Sequence, residues 1–395
     1  MDEAKKNSLG NTILAGMRQY SMLIALVVVM VVFQITTNGV LLLPMNVANL
    51  ISQIGYIVVL AIGMLLCILT GGNIDLSVGS VVALVGAVAG KLMIDAKMPP
   101  FFAVAIALLV GIVIGMWHGF WIAYIKLPPF IVTLTGMLIF RGMTWIVLNN
   151  GVTLSGFPEE YHFINWDIPD FLSFISINNF NMACLLFGFL AVGVFIVSQI
   201  ISRSRKIKKG YETSHIVPFV VTIVLVTTVI VLASFSLASY NGVPNILVLL
   251  VILALIYSYI TNKTVAGRYL YALGGNEKAA RLSGIDTRKV FFLAYTNMAF
   301  LAAVAGILFS ARSKSAGPDA GDGFELDAIG ACFIGGASAY GGIGTVTGVL
   351  IGAIFMGVLN NGMSTMGVSV DVQKVVKGLV LLFAVAFDVV SKRKK

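Results

Sequence analysis

Long apolar runs follow one another along almost the whole of this 395-residue chain. A helix that crosses a bilayer needs about 20 mainly apolar residues, and eleven runs approach or exceed that length. The chain is 58% hydrophobic and 11% charged, whereas soluble domains are about 25% charged. This balance excludes a soluble globule and predicts an all-α, polytopic membrane bundle. The predicted spans lie near 21–43, 47–70, 76–94, 101–125, 129–149, 181–201, 216–237, 243–261, 290–310, 345–367 and 372–391.

A twelfth apolar run, 326–338, is only 13 residues long and stands between two glycine-rich segments. Irregular backbone at membrane depth is tolerated only where protein, not lipid, surrounds it. The run therefore predicts a half-helix packed inside the bundle. We expect one transmembrane domain over 1–395, with about twelve spans and both termini in the cytoplasm.

The positions of Lys and Arg predict the orientation. The net charge is +9, and an excess of positive residues marks cytoplasmic loops. The basic loop 203–215, the segment 264–289 and the basic C-terminal tail are therefore predicted to be cytoplasmic. Two cationic pairs fall instead on the outer side: Arg312 with Lys314, and Lys374 with Lys377. Their expected acidic neighbours are Asp319 and Asp371.

The segment 151–180 is predicted to be the extracytoplasmic loop. It carries four acidic residues and, from Gly151 to Asn179, no Lys or Arg. It also carries aromatic residues, which enrich protein interfaces. These acidic and aromatic residues are Glu159, Glu160, Asp167, Asp170, Tyr161, Phe163 and Trp166.

A short helix is predicted inside the cytoplasmic segment. Asn276 is a favourable N-cap, Glu277 suits the first turn and Gly284 suits a left-handed C-cap. Such a helix has about two turns and is marginal alone in water. The helix either packs on its own protein or docks into a groove of a partner. The small side chains of Ala279 and Ala280 would allow the helix to approach such a partner closely.

The motif GGNEKAARLSGI resembles the coupling loop of the permease subunits of bacterial ribose- and xylose-type ABC importers. Four further motifs resemble the same family in the same order: TGGNIDLSVGS, LPPFIVTLTGMLIFRG, GFELDAIGACFIGGASAYGGIGTVTG and VLNNGMSTMGVS. The resemblance is closest to the larger members that serve xylose or several monosaccharides. Relative to the smaller ribose-type members, the chain carries an extra pair of spans near 181–237.

The resemblance implies a transport subunit of the bacterial inner membrane rather than an enzyme. Two permease copies would form a pathway that works by alternating access, and a soluble sugar-binding protein would deliver a monosaccharide to the outer face. Cytoplasmic ATPases would bind ATP and Mg²⁺, and this chain would bind no cofactor. The absence of a GxxxxGK[ST] motif agrees with that division. The implied ATPase-coupling residues are Gly274, Gly275, Asn276, Glu277, Ala279, Ala280, Arg281 and Gly284.

Uncharged polar side chains inside the spans are candidates for the sugar pathway, because amides and hydroxyls bond a hydroxylated solute. Each is also explained as a bond between helices. Asp75 either caps the third span through the N–H of Ser77 or Val78 or meets a sugar hydroxyl. The candidates are Gln53, Asn73, Asp75, Thr133, Thr135, Asn297, Asn360 and Asn361.

Arg141 lies deep in the fifth predicted span. An ionisable group there is a functional candidate, or it serves an internal carbonyl or carboxylate. Two glycine series at four-residue spacing predict close helix packing within the chain or between subunits. They are Gly111, Gly115 and Gly119, and Gly344, Gly348 and Gly352.

An ion-coupled secondary transporter of a small polar solute is the alternative. Such carriers use carboxylates or histidines inside their spans, whereas nearly every acidic residue here lies at a span end or in a loop. The three histidines are scattered, and the three cysteines lie in apolar runs without CxxC spacing. No metal site and no catalytic constellation is therefore expected.

Overall fold

The structure is a computed structural model, and it describes residues 21–161, 176–177, 180–211, 216–240 and 242–393. Fourteen α-helices dominate these ranges, and the strands have two residues each. The helices are α1 (Ser21–Thr36), α2 (Pro44–Leu69), α3 (Val78–Gly90), α4 (Pro100–Ala123), α5 (Pro129–Val147), α6 (Met182–Lys208), α7 (Ile216–Ala238), α8 (Asn245–Lys263), α9 (Val265–Gly275), α10 (Glu277–Leu282), α11 (Thr287–Ser313), α12 (Phe324–Ile334), α13 (Val346–Thr365) and α14 (Val370–Arg393). The strands are β1 (Leu154–Ser155), β2 (Ser176–Ile177), β3 (Phe180–Asn181) and β4 (Ser315–Ala316).

Within the described ranges, nine helices are long and apolar enough to cross a membrane. They are α2, α3 with its following π-turn to Asp95, α4, α5, α6, the Phe219–Ala238 part of α7, α8, α11 and α13. The three other predicted spans correspond to the 16-residue α1, the 11-residue α12 and the 24-residue α14. The prediction of an all-α polytopic bundle is confirmed.

Two predicted boundaries are wrong. The first run is not continuous over 21–43: α1 ends at Thr36, and a 3-10 turn follows at Val40–Leu42. Left-handed backbone at Gly39, with φ of 89°, separates the two. The basic segment 203–215 is not all loop, because α6 continues to Lys208. Cationic side chains in its last turn face the negative end of the helix dipole, which favours this extension.

The core is built around α2, α3, α11, α12 and α13. Residues 57–69 of α2 are buried without interruption. Prolines stand at the first turns of α2, α4 and α5, where their missing N–H is not needed by the helix. By contrast, α6 and α7 are mostly exposed and pack on each other. A small cluster of Ala48, Cys184, Leu237 and Ala238 joins this pair to α2.

The predicted half-helix is α12, and it lies inside the bundle. Strand β4 pairs antiparallel with β1, with Leu154 opposite Ala316. The chain then turns through residues 317–323 into α12, where seven of the eleven residues are buried. A loop at 335–345 leads to α13. The irregular backbone on both sides of α12 is only partly covered by protein: Pro318, Gly321 and Ala337 are buried, whereas Asp322 and Tyr340 are exposed.

A second discontinuous element faces α12. Helix α2 ends at Leu69, and residues 70–77 form a loop before α3 begins. A Cβ on Gly79 would meet the carbonyl oxygen of Gly321, and a Cβ on Gly321 would meet that of Gly79. The start of α3 and the turn before α12 thus touch through their backbones. Both positions need glycine because no side chain fits between them.

Candidate functional site

The predicted coupling helix is α10. The Ala279 N–H donates to Asn276 Oδ1 at 3.0 Å, which is an N-cap bond. Gly284 has φ of 85° and closes the C-terminus, where its N–H donates to the Arg281 carbonyl at 3.0 Å. Ala280 is buried, but Leu282 is 90% exposed. An apolar side chain that projects this far from a capped helix is available to a protein partner.

Sequence reasoning missed a second helix in this segment, α9. Thr264 caps it by accepting the Gly267 N–H at 3.2 Å; a threonine before an apolar run was the available signal. The Tyr271 hydroxyl donates to the Gly344 carbonyl at 2.7 Å. Burial raises the pKa of Tyr271; a tyrosine hydroxyl carries its proton at neutral pH even without that shift.

Gly274 makes the closest contact between the coupling segment and the bundle. A Cβ on Gly274 would meet the Leu69 carbonyl oxygen and the Gly342 nitrogen. The Gly342 N–H also donates to Leu69 O at 3.2 Å. The end of α9, the end of α2 and the loop after α12 therefore meet at one point. Gly275, the next residue, has nothing within 4 Å of a Cβ.

A polar cleft of about 870 Å³ lies beside this contact. The Asn73 amide reaches the cleft and donates weakly to Thr70, at 3.3–3.4 Å. Lining residues from three segments include Thr70, Asn73, Lys126, Gly275, Glu277 and Arg288. The cleft thus joins the coupling segment to the loop that precedes α3.

A second polar cavity, of about 190 Å³, lies at the other end of α2 and α11. Gln53 and Tyr56 come from α2, Arg312 from α11, Asn360 from α13 and Lys377 from α14. Behind this wall, Lys377 Nζ lies 3.0 Å from Asp327 Oδ1 on α12. The Asn360 amide donates to Asp327 Oδ2 at 3.1 Å. We call this space the outer cavity, after the side on which the orientation predicted from the sequence places it.

The predicted pathway residues do not form one site. Gln53 and Asn360 line the outer cavity, whereas Asn361 donates to Gln53 Oε1 at 3.1 Å and pairs with Asn46. Asn297 accepts a hydrogen bond from the Tyr257 hydroxyl beside an apolar cavity. Thr133 is buried and donates to its own helix, and Thr135 is exposed.

Asp75 is buried in the loop before α3. Its Oδ1 accepts from the Ser77 N–H at 2.8 Å and from the Ser77 hydroxyl at 2.6 Å. The bond to the Ser77 N–H is one of the two that the capping role predicted, but it lies just before α3, whose N-cap is Ser77 itself. Within the described part of the chain, Asp75 Oδ2 has no hydrogen-bond partner.

Arg141 holds the chain that leads into α12. Its Nη1 donates to the carbonyl oxygens of Pro318 and Ala320, each at 2.7 Å. Two backbone acceptors thus occupy the guanidinium, as in the carbonyl alternative weighed from the sequence. The deep arginine fixes the entry turn of the half-helix.

The first glycine series packs α4 against α11 within the chain. A Cβ on Gly111, Gly115 or Gly119 would touch α11 residues. The second series is not a single helix face, because Gly344 precedes α13 in left-handed backbone with φ of 155°. Thr345 is the N-cap of α13, so the four-residue spacing begins outside the helix. Gly348 and Gly352 lie against the backbone at the C-terminal end of α12.

The part of the predicted extracytoplasmic loop that the structure describes exposes Glu159 and Glu160. Tyr161 was expected to offer contact area to a partner, and this is wrong: it is fully buried, with its hydroxyl 2.7 Å from Ser310 Oγ on α11. It holds the loop on the bundle. Asp167, Asp170, Phe163 and Trp166 lie outside the described residues.

Residues 46–385 match the family model described as branched-chain amino acid transport system / permease component. The chain belongs to this family. A similar member is the xylose transport system permease protein XylH of Haemophilus influenzae, 38% identical over 96% of this chain and 98% of that protein. The ribose import permease protein RbsC of Escherichia coli K12 is 34% identical over 94% of each chain. No solved structure matches the chain.

Family membership agrees with the resemblance that the motifs gave. No three His, Cys, Asp or Glu residues among those described gather into a group that could hold a metal ion. Sequence reasoning missed Tyr271, which bonds α9 to the loop before α13. It noted Arg312 and Lys377 as cations but not as residues that line a polar cavity.

Proposed function

We propose that this chain is the transmembrane subunit of an ATP-driven importer that passes a monosaccharide, such as xylose or ribose, into the cytoplasm. The observation that carries the proposal is its similarity to xylose and ribose permeases over at least 94% of those proteins. The family description names branched-chain amino acids. The sugar permeases are nevertheless the better guide, since their identity of 34–38% extends over nearly the whole chain.

The partners in this proposal are other chains. A cytoplasmic ATPase carries ATP and Mg²⁺ and hydrolyses the nucleotide, so this subunit is not the enzyme. An extracytoplasmic binding protein selects the sugar, and a second permease copy completes the pathway as a homodimer. The exposed Glu159 and Glu160 would meet Lys or Arg on the binding protein.

The proposed coupling runs from α10 to α12. A movement of the docked α10 displaces α9, which is bonded to the loop before α13 through Tyr271 and Gly344. That loop also touches Gly274 and continues from the end of α12. Because Asp327 on α12 pairs with Lys377 in the wall of the outer cavity, a shift at the ATPase would reach the outer half of the bundle through a continuous series of contacts. Alternating access follows if that shift closes the outer cavity while the cytoplasmic cleft opens.

The N-cap of α10 offers a matched test in the complete importer in lipid vesicles. Asn276→Ala removes the cap bond, which costs about 1 kcal/mol of helix stability, whereas Asn276→Asp keeps an acceptor. We expect the alanine variant to hydrolyse more ATP per imported sugar and the aspartate variant to resemble the parent. The stronger double variant Glu277→Lys, Gly284→Val should lose transport while inserting normally. Normal transport and ATPase binding in that double variant would exclude docking through α10.

The secondary-carrier alternative makes the opposite prediction about the energy source. The purified permease alone should not accumulate sugar when a proton or sodium gradient is imposed across the vesicle. The full complex should accumulate the sugar when ATP is supplied on the side of the membrane that carries the ATPase. Accumulation by the permease alone under a gradient would support the carrier and contradict the proposal.

A further inference from the structure

The outer cavity contains polar groups that the protein itself leaves without partners. Of the residues that the structure describes, none accepts a hydrogen bond from Arg312 or from Gln53 Nε2, and none pairs with the Tyr56 hydroxyl. Asn360 Oδ1 is buried and also lacks a partner. Buried polar groups in proteins are usually paired. Asn360 Oδ1 is the buried member of this set. Gln53, Tyr56 and Arg312 are partly exposed around the same space, so their polar groups are free to bond a small ligand there.

The unpartnered groups are complementary to a polyol. Arg312 and Gln53 donate, Asn360 Oδ1 accepts, and the Tyr56 hydroxyl does either. The cavity also has apolar wall, from Ile57 and the Phe309 ring. A sugar ring presents hydroxyls at its edge and C–H groups on its faces, so it matches both kinds of wall.

The size and the charge of the cavity restrict the range of ligands further. Sites for drug-sized molecules measure about 300–1,000 Å³, so a cavity of about 190 Å³ suits a smaller molecule. Lys377 and Asp327 neutralise each other at 3.0 Å. Arg312 is the other cation that lines the cavity, and it is partly exposed. Its guanidinium can donate to several hydroxyls at once.

We propose that the outer cavity is a monosaccharide subsite of the permease itself, where Arg312, Gln53, Tyr56 and Asn360 hold the sugar after the binding protein releases it. The inference rests on the proposed function and adds a binding site within this chain. We expect the affinity of such a subsite for the sugar to be low, since a transported solute must leave the site as readily as it enters. It gives this subunit a share in the choice of sugar.

Two substitutions remove ligand contacts without removing bonds within the described chain. Arg312→Met keeps the length of the side chain, and Tyr56→Phe keeps the stack of its ring on Phe324, at 3.9 Å between centroids. Both variants should therefore unfold at the parent temperature. Matched controls are Arg203→Met on α6 and Tyr259→Phe, 65% exposed on α8.

The experiment uses the complete importer in lipid nanodiscs and vesicles, with D-xylose, D-ribose, D-galactose and D-glucose as probes. Saturation-transfer NMR on the permease–ATPase complex measures weak sugar binding directly, and vesicle uptake measures import. We expect binding about fivefold weaker in each cavity variant, because one net hydrogen bond is lost, with slower import at saturating binding protein. Both controls should behave as the parent does.

The outcomes separate the two proposals. If the parent complex imports none of the four sugars, the proposed function fails and the subsite with it. If the parent imports a sugar while both cavity variants bind and import it normally, only the subsite is wrong. A further test uses D-glucuronate as a competitor. If D-glucuronate displaces the sugar, binds at least tenfold more tightly than the sugar, and loses affinity as the salt concentration rises, then the cavity is an anion site. That result would overturn the assignment to a neutral sugar.

Discussion

Replacing Lys377 with Met should lower the free energy of unfolding of the permease far more than replacing Lys374, a lysine on the same helix. Its Nζ lies 3.0 Å from Asp327 Oδ1, and the two side chains are only 13% and 0% exposed. Removing one partner of a buried ion pair costs about 3–5 kcal/mol, because the other charge stays buried without compensation. Only the Asn360 amide would still donate to that carboxylate.

The same helix supplies the control. Lys374 lies 2.8 Å from Asp322, but these side chains are 49% and 54% exposed. Water screens such a pair, so Lys374→Met should leave stability unchanged within error. Asp327→Asn combined with Lys377→Met should restore most of the loss, since no charge then remains buried.

Unfolding by increasing SDS in mixed micelles, followed by circular dichroism, measures these free energies. Four chains are compared: the parent, Lys377→Met, Lys374→Met and the double variant at 327 and 377. The burial argument requires the Lys377 loss to exceed the Lys374 loss by several kcal/mol. Equal losses, or a double variant no more stable than Lys377→Met, would refute it.

Three further predictions test the clamp, the coupling contact and the orientation. Arg141→Gln removes charge-assisted bonds of about 1.5–3 kcal/mol each, so it should lower unfolding free energy and expose the turn 318–320 to proteolysis, while Arg141→Lys should retain part of the stability. Gly274→Ala places a methyl group against two backbone atoms and should abolish ATP-driven uptake, whereas Gly275→Ala, with open space around it, should transport normally. Glu160→Cys should react with an impermeant thiol reagent in intact cells; protection in a folded variant would reverse the assigned orientation.

Features encoded by neighbouring residues were predictable from the sequence. Asn276 and Gly284 bracket a helix of six residues, and the structure has the cap bond at one and left-handed backbone at the other. The half-helix was also predictable, because a short apolar run between glycine-rich segments cannot span a bilayer. Both α10 and α12 are determined by residues that lie within the helix or less than one turn beyond its ends.

Partners brought together by the fold were not predictable. Asp371 was the expected neighbour of the cations on α14, but Lys377 pairs with Asp327, which is 50 residues away. Arg141 reaches carbonyls 177 and 179 residues away. Nothing in a single sequence specifies which carboxylate or carbonyl the packing of helices will place beside a buried cation.

The four-residue spacing of the second glycine series led to a wrong prediction, because the start of the helix was not considered. Gly344, Gly348 and Gly352 have helical spacing, but Thr345 caps α13 through the Gly348 N–H at 3.0 Å. The threonine was the signal that the first glycine lies outside. Tyr161 misled for a different reason: an aromatic residue in a polar loop serves a partner surface or the protein's own core equally well, and only packing decides between them.

The position of α12 gives a physical reason for the use of broken helices in this permease. A continuous helix that satisfies all its backbone bonds internally would have to move as a whole to open one side of the membrane. At α12, the entry turn is held by Arg141 and the exit loop by Leu69 and Tyr271, so its ends are bonded to different parts of the molecule. In the proposed coupling, a displacement of the segment 264–289 would therefore act on only one end of α12. Because Arg141 holds the other end, the short helix would tilt, and the tilt would strain the ion pair between Asp327 and Lys377 in the wall of the outer cavity.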